Sequence, residues 1–296
     1  MSANRLALGA AQWGLDYGIA NRTGRPDDGA VAEILAVAKA AGVNTIDTAK
    51  AYGDSEAVIG RLVGDDDGWK IGTKLAPDLF AGAPSPAEAA QRTRASLDSS
   101  LRTLRRDTLD SVLLHRWTED GPVLAAVLDV LAEARERKTL VRAGASVLTP
   151  AEGAAAWASQ RIQQIQCPAH LLDSRFPLTG REGVAVHTRS AFFQGVAFLD
   201  PERLPPHLEP IRALLEQLQD LGRALHQPPA TLWLAHALSL PTARVVVGCE
   251  RPEQLAANLE ALRHVDAVSA EVARFVAARQ TPDDAVLDPW RWPPRA

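Results

Sequence analysis

A chain of 296 residues with 36 acidic and 32 basic side chains carries a formal charge of −4, and its dispersed arginines exclude an electrostatic nucleic-acid surface. Nearly half the residues are apolar, yet no run is long enough to cross a bilayer, and the N-terminus lacks a signal-peptide pattern. Two cysteines, Cys167 and Cys249, are too few for a disulfide framework or a metal cage, which points to a reducing cytoplasm.

Short apolar runs alternate with longer helical patterns along the whole chain, the arrangement of a parallel sheet with crossover helices. Strands are predicted at Leu6–Gly9, Thr45–Asp47, Trp69–Thr73, Asp110–Leu114, Val141–Ser146, Ile162–Cys167, Val184–Thr188 and Arg244–Gly248. Eight strands close a (β/α)8 TIM barrel of the α/β class, and residues 1–296 read as one domain. Between the strands, Asp27 to Ala41 begins with an acidic start signal. Ser85 to Leu104 opens on Ser85-Pro86-Ala87-Glu88, a capping box with proline in the first turn. Gly121 to Lys138 and Pro252 to Leu262 continue the pattern, and His207 to Leu240 divides into two helices at Gln227-Pro228-Pro229. From about residue 281 the chain is a tail too rich in proline for helix or central strand.

Four residues stand at or just after strand ends: Asp47, Tyr52, Lys74 and His115. In a barrel such ends converge on one rim. Only Tyr17 and Tyr52 are tyrosines, and Lys39, Lys50, Lys70, Lys74 and Lys138 are the only lysines. A strand-end lysine in a chain that otherwise uses arginine asks for a reason. Carbonyl reduction requires hydride at carbon and a proton at oxygen, and a phenol with an ordinary pKa near 10 is a slow acid unless an ammonium favours its phenolate. A carboxylate keeps that ammonium charged despite burial. On this reading Tyr52 is the general acid, Lys74 its tuner, Asp47 the partner of the lysine and His115 the donor that orients the substrate oxygen. Taken singly, Asp47 also fits a turn cap, Tyr52 a packed loop residue and His115 a satisfied core histidine.

Asn44-Thr45-Ile46-Asp47-Thr48-Ala49-Lys50-Ala51-Tyr52-Gly53, Gly72-Thr73-Lys74 and Asp110 to His115 resemble the corresponding segments of the aldo-keto reductases, NADP-dependent barrel oxidoreductases. The resemblance covers about Leu6 to Leu262 and implies the same four catalytic roles. It also implies that Ser146 and Gln166 hold a nicotinamide carboxamide, with Val147 where relatives usually carry Asn. Arg189, Ser190, Gln194 and Gly195 resemble the loop that folds over the pyrophosphate, with Arg189 where many relatives stack a Tyr; a guanidinium plane can stack as well. Gly248, Arg251, Gln254 and Asn258 resemble the adenosine-phosphate segment, at a helix N-terminus suited to anions. Many relatives have a basic residue at the position of Glu250, so NADP(H) is the expected cofactor with NAD(H) a live option.

Trp13, after the first strand, is a candidate wall of the substrate site or else a lid over the barrel core. Trp117, in the short loop Arg116 to Asp120, is expected to face substrate or solvent, and Trp290 and Trp292 to pack across the rim. The expected partner is a small carbonyl compound, and a monomer is the default. Two rivals share the motifs: a non-catalytic NADP(H)-binding redox sensor, and a lyase or aldolase using Lys74 as a Schiff-base nucleophile.

Overall fold

A computed structural model describes residues 3–66, 68–118, 121–176, 178 and 182–293. Eight parallel strands close a barrel in chain order: β1 (Leu6–Gly9), β2 (Thr45–Asp47), β3 (Lys70–Lys74), β4 (Leu109–Leu114), β5 (Leu140–Ser146), β6 (Gln164–Pro168), β7 (Ala185–Arg189) and β8 (Arg244–Gly248). The fold is the (β/α)8 TIM barrel. Three strands have the expected bounds; β3, β6 and β7 run one residue further toward the rim than the apolar runs suggest, because ladder bonds continue through Lys74, Pro168 and Arg189.

The helices are α1 (Ala11–Gly14), α2 (Asp28–Ala40), α3 (Ser55–Leu62), α4 (Pro86–Leu104), α5 (Pro122–Glu136), α6 (Pro150–Ala158), α7 (Arg212–Leu225), α8 (Pro229–Ser239), α9 (Pro252–Ala261), α10 (Val265–Ala278) and α11 (Asp284–Leu287). Local chemistry sets their starts. The Asp27 carboxylate accepts from the Ala30 N–H at 2.8 Å, and Ser85 and Glu88 form the reciprocal capping box before α4. The break at Gln227-Pro228-Pro229 falls between α7 and α8, where His226 takes a left-handed conformation that ends α7. Helices α3 and α6 are too short to show a helical period in the sequence, and α10 was not anticipated there.

The tail also differs from expectation. It contains the single turn α11 and a 3-10 turn at Pro289–Arg291, within proline limits because Pro289 opens its turn. Arg175 bonds to Asp173, Asp284 and Asp288 and so ties this segment to the loop after β6.

Two glycines fix how the Tyr52 loop meets the barrel. A Cβ on Gly14 would lie 1.8 Å from the Tyr52 carbonyl oxygen, and one on Gly53 would lie 2.3 Å from that of Gly14. Backbone-to-backbone contact of this kind has room only for glycine, and it holds the Tyr52 loop against α1. Among the described residues no helix is long and apolar enough to cross a membrane.

Candidate active site

Every strand of the barrel runs the same way, so the C-terminal residues of β2, β3, β5, β7 and β8 and the residue after β4 share one rim. Lys74 is 1% exposed, and its ammonium donates to Asp47 Oδ2 at 2.7 Å and to the Thr48 carbonyl at 2.9 Å. The same nitrogen lies 5.0 Å from the centre of the Tyr52 ring. The Tyr52 and His115 rings meet edge to face at 6.3 Å. The four strand-end residues therefore form one cluster.

Burial pushes the Lys74 ammonium toward deprotonation, but Asp47 and Tyr52 outweigh it, so its pKa lies above the ordinary value despite opposition from Arg189. His115 is pushed the other way. Burial first, then the charges of Lys74 and Arg189, lower its pKa to about 4, which leaves a neutral imidazole at pH 7. Its Nδ1 has no partner among the described residues.

Gln166 joins this cluster to the next strand. Its amide nitrogen donates to Asp47 Oδ1 at 2.7 Å, while its Oε1 is buried without a partner. Both carboxylate oxygens of Asp47 are thus occupied. Ser146 faces Gln166 across the β5–β6 ladder and is buried. Val147 packs in the core where an amide side chain would have added a donor, and its backbone carbonyl accepts from Arg189 at 3.1 Å.

A cleft of about 400 Å³ opens on the same rim, between the loops after β1 and β7 and the start of α9; none of the four clustered residues lines it. Ser190, Gln194, Gly195, Gly248, Glu250, Arg251, Gln254 and Asn258 line it. Ser190, Phe193, Gln194 and Gly195 have positive φ, so the β7 loop coils tightly enough for the Gln194 carbonyl to accept from the Ile19 N–H at 2.9 Å. A Cβ on Gly195 would lie 2.9 Å from Ala20. At the start of α9, the Gln254 side-chain oxygen accepts from the backbone N–H groups of Glu250 and Arg251, which shapes this end of the cleft.

The sequence reading missed three contributors to the site. Gln12, Tyr17 and Phe198 line the same cleft, and Tyr17 interacts electrostatically with Tyr52 and Arg189. Burial raises the Tyr17 phenol to about 12, so it remains neutral. Tyrosine scarcity was the available signal, since Tyr17 is the only one besides Tyr52.

The tryptophan expectations need correction. Trp13 is 1% exposed and donates through its indole to the Cys249 carbonyl at 3.2 Å, tying α1 to the end of β8. This is the second of its two expected positions, a lid over the barrel core. Trp117 is 4% exposed and belongs to the core, so it does not face solvent; its indole nitrogen has no partner among the described residues. Glu119 and Asp120 of that loop lie outside the described residues. In the tail only Trp292 turns inward, packing on Phe193 and His207 and lining a neighbouring cavity of about 640 Å³ with Tyr17 and Gln194. Trp290 is 44% exposed, because the turn at Pro289–Arg291 sends the two indoles in different directions.

Known proteins agree with this architecture. Uncharacterized oxidoreductases of Mycobacterium bovis and Mycobacterium tuberculosis are 27% identical over 284 residues, covering 87% of this chain and 84% of theirs. An aldo-keto reductase of Bacillus halodurans, solved in its holo form, superposes with a TM-score of 0.73 at 21% identity, over 95% of both chains. The glycerol dehydrogenase of Gluconobacter oxydans superposes with a TM-score of 0.69 at 20% identity, over 94% of both. The model of the aldo/keto reductase family matches residues 5–280, and with a match that spans the barrel from β1 through α10 the chain belongs to that family.

Proposed function

We propose that the protein reduces an aldehyde or ketone with NADPH, with Tyr52 as the proton donor. The observation that carries this reading is the buried Lys74–Asp47 pair at 2.7 Å, set against the Tyr52 ring and capped by Gln166. Nicotinamide supplies the hydride when bound. The fit to such a cofactor rests on this chain's own groups: the unpartnered Gln166 Oε1 is an acceptor suited to a carboxamide N–H. The cleft reaches a helix N-terminus, where Arg251 lines it. Ser146 and Gln166 would hold the carboxamide, Arg189 the ring face, and Ser190, Gln194 and Gly195 the pyrophosphate. Gly248, Arg251, Gln254 and Asn258 would hold the adenosine end, where Arg251 compensates for Glu250 and favours NADP(H) over NAD(H).

Proton transfer then follows from charge. As the Tyr52 hydroxyl gives its proton to the substrate oxygen, negative charge develops on the phenol, and the Lys74 ammonium stabilises it. Asp47 keeps that ammonium charged, and Gln166 fixes the carboxylate. Neutral His115 can donate one hydrogen bond to the carbonyl oxygen without competing for the proton. The raised Lys74 pKa disfavours the Schiff-base reading, since a nucleophilic amine must be unprotonated.

The test is NADPH oxidation against a panel of aldehydes, ketones and sugar derivatives. Tyr52→Phe should lower kcat by about 10²–10⁴-fold while the NADPH dissociation constant stays near wild type. Near-normal turnover in that variant would remove Tyr52 as the acid, and steady binding with no turnover on any carbonyl would favour a redox-sensing barrel.

A further inference from the structure

Three of the cations around the mouth of the barrel are neutralised by carboxylates. Lys74 pairs with Asp47 at 2.7 Å, Lys50 with Glu56 at 3.1 Å and Arg116 with Glu152 at 2.7 Å. Arg189, half-buried at the end of β7, is different. Its guanidinium donates to the Val147 carbonyl at 3.1 Å and to the Ser190 hydroxyl at 3.4 Å, both uncharged, and it has no carboxylate partner among the described residues. Its position at the C-terminal end of β7 puts it on the same rim as Lys74 and His115, and its charge opposes protonation of both. The Asp47 carboxylate on the same rim has both oxygens engaged. The mouth therefore offers a substrate phenols, a neutral imidazole and, at Arg189, a positive charge without a carboxylate partner among the described residues.

We propose that the carbonyl substrate carries an anionic group, a carboxylate or phosphate, that pairs with the Arg189 N–H groups not donated to Val147 and Ser190. The inference rests on the reductase reading above. A cation withdrawn from water without a counter-charge is costly, and a substrate anion offsets that cost. The planar fork of a guanidinium suits carboxylate and phosphate oxygens, and such charge-assisted bonds are the strong ones. Stacking uses the plane of the group and pairing uses its edge, so a role against a nicotinamide ring and a role toward an anion can be separated by substitution.

The experiment compares kcat/KM for matched pairs: 4-oxobutanoate against 4-oxobutanamide, and glyceraldehyde 3-phosphate against glyceraldehyde. In the wild type at least one pair should favour the anion by about 10- to 100-fold, the range for a charge-assisted hydrogen bond, and the preference should shrink as ionic strength rises. Arg189→Tyr, which keeps a flat face but no charge, should bring the ratio close to one; Arg189→Lys should retain most of it. A wild-type ratio near one in both pairs, or a ratio that survives Arg189→Tyr, overturns the proposal. So does a change confined to the NADPH dissociation constant, which would assign the charge to cofactor phosphate. The salt dependence of the wild type decides the matter if Arg189→Tyr fails to fold. Absence of turnover on every carbonyl is a separate result, and it overturns the reductase reading itself.

Discussion

On the β2–β4 side of the mouth, Asp47 and Lys74 project from strand ends, His115 follows its strand directly, and their geometry is held by short, direct bonds: 2.7 Å from Lys74 to Asp47 and 2.7 Å from Gln166 to Asp47. On the β7–β1 side, the cleft is made by long loops whose shape depends on Ser190, Phe193, Gln194 and Gly195 in left-handed backbone conformations. One side is stiff because ionic groups are buried and paired, the other because strained backbone is wedged against a neighbouring loop. Chemistry that moves a proton needs fixed charges, whereas a cleft for a long ligand needs contoured backbone. The two should therefore fail differently when disturbed.

The largest effect is expected from Lys74→Met. It leaves the buried Asp47 carboxylate without its counter-ion, a change worth about 3–5 kcal/mol of stability. Turnover should drop at least about 10²-fold, with an altered pH profile, since the proton donor loses its neighbouring charge. Denaturant titration together with a pH–rate profile checks both parts. A Lys74→Met protein with wild-type stability would show that the pair is not what stiffens this side.

Acid should reach the molecule through its buried histidines. Burial lowers His115, His187 and His236 to about 4 and His170 to about 3, from an ordinary 6.5. Between those values the unfolded chain binds protons that the folded chain refuses, so stability present above pH 6.5 is lost as pH falls toward 4. The three most buried rings, His170, His187 and His236, are each worth on the order of 3 kcal/mol across that window. Melting temperature measured from pH 7 to pH 4 should fall steeply, and His236→Gln should flatten the slope. A flat profile would mean that these rings accept protons in place.

A smaller and more local effect is expected from Gly195→Val. The position has φ 97° and a Cβ there would meet Ala20 at 2.9 Å, so the β7 loop must move off the β1 loop. NADPH binding should weaken by about 10-fold, from roughly 1–2 kcal/mol of strain, with the melting temperature little changed. If instead the whole protein loses stability as Lys74→Met does, the contrast between the two sides collapses.

The smallest expected change is in cofactor choice. Glu250→Arg should tighten NADP(H) by about 10-fold relative to NAD(H), because only the former brings a 2′-phosphate to the start of α9. Fluorescence titration with both cofactors measures this; equal shifts would mean that Glu250 does not face that phosphate.

How much of this was legible beforehand follows the same division. Asp47, Lys74 and His115 could be found because strand-end chemistry is written in contiguous runs, an apolar stretch followed by one functional side chain. Ser190, Gln194 and Gly195 were reached only through likeness to relatives, since nothing in Arg189-Ser190-Ala191-Phe192-Phe193-Gln194-Gly195 announces a coiled loop. The tryptophans misled because an indole has the same composition signal whether it lines a pocket or fills a core. Trp13 and Trp117 are core, and of the two tail indoles only Trp292 turns inward.

By itself the sequence determined the barrel, five of its helix starts and the four strand-end residues that cluster on its rim. Those depend on periodicity, capping and residue scarcity, which act over a few neighbours in the chain. Only the tertiary structure decided that Gln166 clamps Asp47 from 119 residues away, that Tyr17 lines the same cleft as the β7 loop, and that Arg189 has no carboxylate partner among the described residues. Each of these depends on closure of the ring of strands, which brings side chains from different strands within bonding range and sets which charges are cancelled and which remain.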